Sequence, residues 1–239
     1  RVKPLVSVVV PLFNEVDNVR PLLDQVHQAF AGDDTHDYEC LFVNDGSADG
    51  TAALLDELAR GEPRLRPIHL ARNLGQSAAI YAGLQAARGD YIVTMDGDLQ
   101  NDPADVPKVL ALLAEHDCVC GYRATRHDSW VRRISSRIAN RARNAVLHDG
   151  VRDTGCGLKG FRRVCLPHFL PFNGLHRFFP AFVRAGGLSL VELPVQHRAR
   201  VAGVSKYGIG NRLWRGLFDL IGVAWLRRRY LVITLKDTE

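Results

Sequence analysis

Asp96 and Asp98 are separated by a single glycine in Met95-Asp96-Gly97-Asp98-Leu99-Gln100, directly after the apolar run Tyr91–Met95. Two carboxylates so close repel each other, and the arrangement is costly unless a cation sits between them. Oxygen ligands select Mg²⁺ or Mn²⁺, which bind through one or two carboxylates plus substrate phosphates. Gln100 offers a neutral third oxygen. The pattern predicts a metal–diphosphate site. Two more polar clusters follow apolar runs: Pro11-Leu12-Phe13-Asn14-Glu15, and Asn44-Asp45-Gly46-Ser47-Ala48-Asp49-Gly50. Taken alone, Asn-Asp-Gly-Ser ahead of a helix reads as turn and cap chemistry.

The complementary charges come later in the chain. Residues 1–120 hold 9 Lys and Arg against 19 Asp and Glu, a balance of −10; residues 121–239 hold 22 against 7, a balance of +15. Such a split predicts one region that holds a cation and another that attracts anions. An ionised phosphate acceptor needs no general base, but its approach to a diphosphate must be screened by fixed cations, a task suited to arginine. Arg123, Arg126, Arg132, Arg133, Arg198, Arg200 and Lys206 are the candidates. A pI near 9.1 also fits nucleic acid. Zinc-finger spacing and RRM aromatics are missing, and the acidic clusters would repel a polyanion, so no nucleic-acid partner is expected. No Ser/His/Asp or Cys/His nucleophile arrangement stands out, and His69, His116 and His168 read as surface or packing residues. Gly155-Cys-Gly157-Leu-Lys-Gly160 matches GxGxxG literally, but it follows a helix pattern and enters a strand pattern, the wrong context for a dinucleotide fingerprint.

The elements that must position these residues alternate regularly. Strands are predicted at Val6–Val10, Cys40–Val43, Ile68–Leu70, Tyr91–Met95 and Cys118–Cys120. Helices are predicted from Asp17 to Phe30, after an Asp49 cap through Leu58, at Gln76–Ala87 and at Pro103–Glu115. This β-α alternation implies an α/β fold, a parallel sheet with helices on both faces and its ligands at the carboxyl ends of the strands. Beyond residue 121 the pattern predicts a basic helix at Trp130–Leu147, a strand at Gly157–Phe161 and a helix at Phe178–Ala185. A strand at Leu188–Val195, a loop at Arg198–Gly210 and an amphipathic helix from Arg212 to Arg228 follow.

Five cysteines without a CxxC pair, three of them among apolar neighbours, read as reduced thiols in a reducing compartment. No signal peptide is read at the start, and no apolar run approaches the ~20 residues a membrane span requires. The last helix interleaves Trp214, Trp225 and aliphatics with arginines, which suits either the lipid headgroup layer or packing against protein. The expectation is a catalytic domain over 1–210 and a membrane-surface or subunit contact over 211–239. The partner there would be a lipid surface met peripherally, a separate membrane protein or a second copy of the chain.

The series Val-Val-Pro-Leu-Phe-Asn-Glu, Val-Asn-Asp-Gly-Ser-Ala-Asp-Gly-Thr, Asn-Leu-Gly-Gln and Met-Asp-Gly-Asp-Leu-Gln-Asn-Asp-Pro resembles the GT-A catalytic domain of family 2 glycosyltransferases. Within that family it looks most like the polyprenyl-phosphate branch, dolichol-phosphate mannose synthases and undecaprenyl-phosphate glycosyltransferases, over roughly residues 4–230. The resemblance implies a Rossmann-like GT-A fold and metal-dependent, inverting transfer of a sugar from a UDP- or GDP-sugar to a polyprenyl phosphate. The setting would be the inner face of the cytoplasmic membrane, where the product serves envelope glycan or lipid modification. It implies that Pro11, Phe13, Glu15 and Asp45 line the nucleoside pocket, with Asp96, Asp98 and Gln100 at the metal and diphosphate. Asn44 replaces an Asp common in relatives; its amide can still bond a base or ribose. Gly121-Tyr122-Arg123 looks like the Gly-x-Arg after the fifth strand. Arg132 with Ser136 is similar to the acceptor-phosphate pair, a role Arg133 takes under a one-residue shift. Arg200, Ser205 and Lys206 fall in a segment like the Arg-x-x-Gly-x-Ser-Lys loop over donor and acceptor. Asp153 stands where hydroxyl-using relatives place a base; with a phosphate acceptor it is expected to orient groups instead. A hydroxyl acceptor with Asp153 as general base is the alternative.

Overall fold

The computed structural model describes residues 3–124, 140–198 and 210–231. Seven strands form one sheet: β1 (Leu5–Leu12), β2 (Asp37–Asn44), β3 (Leu65–His69), β4 (Tyr91–Thr94), β5 (Cys118–Arg123), β6 (Lys159–Arg162) and β7 (Leu190–Val195), in the order β3-β2-β1-β4-β6-β5-β7. All neighbouring pairs are parallel except those made by β6, which runs antiparallel to both β4 and β5.

β1 shows why the sheet has two covered faces. Val6, Val8 and Val10 pack with α1 (Val16–Phe30) and α4 (Val106–Leu113), while Val9 points the other way, toward α3 (Gln76–Ala86). A period of two with both sets buried gives the continuous β-branched run read in the sequence. The second face is completed by aromatic residues Phe161, Phe178, Phe179 and Phe182, the last two from α6 (Phe179–Ala185), and by Val223 of α7 (Gly210–Arg228). Close approach is built in by glycines. A Cβ on Gly83 would lie 2.4 Å from Val9 Cγ1, and one on Gly160 would lie 2.3 Å from Val109 Cγ1.

Several boundaries differ from the predicted ones for identifiable reasons. β3 begins three residues early, at Leu65, because its register with β2 pairs Leu65 with Cys40 and His69 with Asn44. Pro67 is tolerated within it because β3 is an edge strand. The predicted helix at Pro103–Glu115 is a 3₁₀ turn, Pro103–Asp105, followed by α4. Asp17 does not cap α1. The Val16 N–H donates instead to Asp49 Oδ2 at 3.2 Å, while Asp49 Oδ1 accepts from Thr51 at the start of α2 (Thr51–Gly61). One carboxylate thus serves two helix starts. Of the predicted basic helix, residues 140–147 are helical (α5); its earlier part lies outside the described residues.

The carboxyl ends of β1, β2, β4 and β5 all face one edge of the sheet, and the antiparallel β6 begins there. Lys159, its first residue, pairs with Thr94 on one side and Cys120 on the other. The edge read from the sequence as the ligand edge therefore gathers the residues that follow four strands and those that precede a fifth.

Candidate active site

At the first two strand ends the polar clusters brace one another. Asn14, at φ 53°, accepts the Ala48 N–H at 2.8 Å, and its own N–H donates to Ser47 Oγ at 2.9 Å. Asp45 is buried and accepts the N–H groups of Leu74 (2.7 Å) and Gly75 (2.9 Å), which ties β2 to the start of α3. Asn44 is also buried: its Oδ1 accepts the Ser47 N–H, and its Nδ2 meets His69 Nδ1 at 3.2 Å. The side-chain amide expected at a base or ribose is thus engaged by its own turn through Oδ1 and by β3 through Nδ2. Pro11, Phe13 and Glu15 are partly buried beside this loop; Glu15 Oε2 accepts from Asn18 Nδ2 at 2.6 Å.

The carboxylate loop follows β4. The Asp96 N–H donates to Asn101 Oδ1 at 3.0 Å, and Asp98 Oδ1 accepts the Gln100 N–H at 3.2 Å, so the loop is closed on itself. Between them Leu99 is buried at φ 61°. Left-handed backbone at a non-glycine residue costs roughly 1–2 kcal/mol and persists where the surroundings enforce it. Asp96 Oδ1 accepts from Gln76 Nε2, the first residue of α3, at 2.8 Å. A Cβ on Gly157 would lie 2.3 Å from Asp96 Oδ2, so the glycine is what admits the carboxylate.

Burial, and then the neighbouring Asp98, push the Asp96 carboxyl up to about 6, against the pull of Lys159, Arg123 and the Gln76 amide. Burial and a second carboxylate together disfavour full charge here, a cost that a bound cation would relieve. Among the described residues no three His, Cys, Asp or Glu side chains come together as a metal cluster. Two carboxylates fit the habit of Mg²⁺ or Mn²⁺, which complete their octahedron with phosphate oxygens and water.

Two cations that act on Asp96 come from β5 and β6, Arg123 and Lys159. Arg123 meets Asp153 in a fork: Nε to Oδ2 is 2.8 Å and Nη2 to Oδ1 is 3.0 Å, with the Gly155 N–H also donating to Oδ1 at 3.2 Å. Asp153 is 4% exposed, so the pair lies in a low dielectric, where fork geometry counts most. Lys159 is buried and donates to the carbonyl oxygens of Thr154 and Cys156. Local sequence chemistry assigns no role to Lys159 or Gln76. Their signal was present, in the GxGxxG-like segment and in Asn-Leu-Gly-Gln, but only the β6 register and the α3 position bring them to Asp96. Gly155, Gly157 and Gly160 each leave room for a packed neighbour, namely Arg123, Asp96 and Val109. The segment has steric reasons for its glycines, although it is no dinucleotide fingerprint.

The Arg198 guanidinium, expected to screen phosphate, bonds Asp102 and Gln25. Arg126, Arg132, Arg133, Ser136, Arg200, Ser205 and Lys206 lie outside the described residues.

Residues 7–169 match the profile of Glycosyl transferase family 2. The chain is 40% identical over 228 residues to dodecaprenyl-phosphate galacturonate synthase of Rhizobium johnstonii, covering 93% of this chain and 67% of that protein. It is 35% identical to undecaprenyl-phosphate 4-deoxy-4-formamido-L-arabinose transferase of Aeromonas hydrophila, covering 91% and 67%. The chain thus spans about two thirds of these relatives' length. Among solved structures, glucosyl-3-phosphoglycerate synthase from Mycobacterium tuberculosis, with phosphoglyceric acid, superposes with a TM-score of 0.69 at 21% identity, covering 94% and 80%. A mannosyltransferase from Pyrobaculum calidifontis, with GDP-mannose and Mn²⁺, gives 0.62 at 18%, covering 96% and 65%. The sheet is that of the GT-A fold, and the chain belongs to the glycosyltransferases of family 2.

Proposed function

We propose that this glycosyltransferase moves a sugar from a UDP- or GDP-sugar to a polyprenyl phosphate, with inversion, and that Asp96 and Asp98, with Gln100 beside them, hold Mg²⁺ or Mn²⁺. The observation that carries the acceptor assignment is the Asp153–Arg123 fork. Both oxygens of Asp153 accept hydrogen bonds from Arg123, an arrangement that favours the ionised carboxylate as a structural partner over a proton acceptor. An acceptor that arrives already ionised suits such a site. The relatives named for dodecaprenyl and undecaprenyl phosphate support the same reading.

A divalent cation supplies charge neutralisation at the leaving diphosphate. The remaining work belongs to the chain. Gln76 fixes one oxygen of Asp96, the Gly157 surface admits the carboxylate, and Lys159 and Arg123 lend it positive potential. Asp45 holds the entry to α3 in place beneath the donor site. The acceptor phosphate attacks the anomeric carbon in line, the bond to the diphosphate breaks, and configuration inverts.

Docking at a lipid surface, at the inner face of the cytoplasmic membrane, fits α7. Phe218, Ile221 and Trp225 are 71%, 59% and 63% exposed on one side, while Val223 packs into the core. Among the described residues, no helix is long and apolar enough to cross a membrane. Flotation with anionic vesicles tests the docking; protein left at the bottom of the gradient would count against it. The activity is tested by release of nucleoside diphosphate from UDP- and GDP-sugars with undecaprenyl phosphate and Mn²⁺ or Mg²⁺. Release should need both metal and lipid phosphate and be lost in Asp98→Ala. Transfer to hydroxyl acceptors that vanishes in Asp153→Asn would favour the base-assisted alternative.

A further inference from the structure

We propose that Arg198 is a positioning residue for the carboxylate loop, clamping residues 100–102 so that Asp96 and Asp98 keep their spacing. This rests on the metal-site reading given above. The chain leaving β7 runs back along the loop and is fastened to it at successive points. The Gln196 N–H donates to Asp105 Oδ2 at 2.8 Å, His197 forms an antiparallel bridge with Asn101, and the Arg198 N–H donates to the Gln100 carbonyl at 2.9 Å. The Arg198 side chain then spans two further elements: Nη2 reaches Asp102 Oδ2 at 2.5 Å, and Nη1 reaches Gln25 Oε1 of α1 at 2.8 Å.

These contacts converge on the segment that fixes the acidic pair. Asn101, bridged by His197, is the residue whose Oδ1 accepts the Asp96 N–H. Asp102, held by Arg198, caps the 3₁₀ turn through Ala104 N at 3.0 Å. Leu99, in its left-handed conformation, sits between the carboxylates and this anchored stretch. A residue held at positive φ against its preference needs both flanks fixed. Gln76 and Asn101 fix the Asp96 flank, and the 196–198 strip with Arg198 fixes the other.

The Arg198 side chain is 44% exposed and the Asp102 side chain 10%, so water screens the pair from the arginine side and its contribution to global stability is modest. A purely structural role would therefore leave few traces on substitution, whereas a clamp acting through Asp96 and Asp98 would show in metal affinity. Outer partners of metal ligands are commonly worth ~10–100-fold in affinity. Arg198→Ala is expected to weaken binding of Mn²⁺ alone, followed by paramagnetic resonance, by about tenfold. Its melting temperature should stay within about 3 °C of the wild type. Arg198→Lys keeps the attraction to Asp102 but not the two-armed reach, so it should fall between the two. Amide hydrogen exchange of residues 97–101 should quicken in Arg198→Ala while the core strands keep their protection.

Unchanged Mn²⁺ affinity together with unchanged exchange would overturn the clamp, as would a general loss of protection across the sheet. Wild-type protein that binds no Mn²⁺, indistinguishable from Asp98→Ala, would instead sink the metal-site reading. The exchange measurement would then decide the clamp by itself.

Discussion

Asp153 presents both carboxylate oxygens to Arg123, Oδ2 to Nε at 2.8 Å and Oδ1 to Nη2 at 3.0 Å. The pair joins the end of β5 to the segment that enters β6, so it bears on the shape of the site as well as its charge. Asp153→Asn removes the negative partner and leaves a half-buried guanidinium with a weaker acceptor. Turnover with undecaprenyl phosphate is expected to fall by roughly 10- to 100-fold without vanishing, the range set by loss of one charge-assisted bond. Complete loss of transfer, with the fold intact by circular dichroism, would reassign Asp153 as the base.

Gly157 makes the sharpest steric prediction. A methyl group there would stand 2.3 Å from Asp96 Oδ2 and 2.4 Å from Asp96 Cγ, inside van der Waals contact. Gly157→Ala must push the carboxylate aside or shift the start of β6. The expected result is a folded protein whose Mn²⁺ affinity drops at least tenfold, as for loss of a ligand's proper orientation. Titration calorimetry with Mn²⁺ measures it, and wild-type affinity in the variant would show that Asp96 does not have to occupy this position to hold metal.

The parts of this site written in local chemistry were legible from the sequence. Asp96-Gly97-Asp98 after an apolar run declares both its strand and its repulsion, and alternating strands and helices place three such clusters on one edge. What depends on pairing between distant segments was not legible. Nothing in Lys159-Gly160-Phe161-Arg162 says that it will wedge antiparallel between β4 and β5, yet that register is what buries Lys159 near Asp96. Composition likewise reports the charge on Arg198 but not that it meets Asp102 and Gln25. Asn44 shows local chemistry at work: its turn bond to Ser47 was legible from Asn-Asp-Gly-Ser, while its contact with His69 depends on the pairing of β2 with β3.

Gln76 donates to Asp96 Oδ1 from the first position of α3, and the next residue, Ser77, is locked by the Gly174 N–H at 2.9 Å and by His176 Nδ1 at 2.7 Å. The helix start is therefore rigid, and its amide is delivered to one carboxylate oxygen. Gln76→Ala should raise the Mn²⁺ concentration for half-maximal diphosphate release by about tenfold, the low end for a hydrogen bond to a charged group. Saturating metal should restore most of the maximal rate, because no group that contacts the reacting atoms has been removed. A variant that cannot be rescued by metal would place Gln76 on the substrate instead.

Glu39 predicts how the fold answers to acid, far from the chemistry. Burial works against its charge, but bonds from Ser7 Oγ (2.6 Å), the Arg88 N–H (2.8 Å) and the Arg66 guanidinium outweigh it, and the carboxyl sits below its ordinary 4.5. Ser7 in turn accepts the Gly89 N–H at 2.8 Å, so one carboxylate joins β1, β2, β3 and the turn into β4. A depressed folded value means that the unfolded chain takes up the proton first. The contribution is fully present above pH 4.5 and is lost as pH falls through the lower folded value. Urea unfolding at stepped pH should show wild-type stability declining below 4.5 more steeply than that of Glu39→Gln, which is less stable at neutral pH but lacks this titration. Parallel pH profiles for the two proteins would mean that Glu39 titrates alike in the folded and unfolded chain, and that the bonds gathered on it do not favour its charged form.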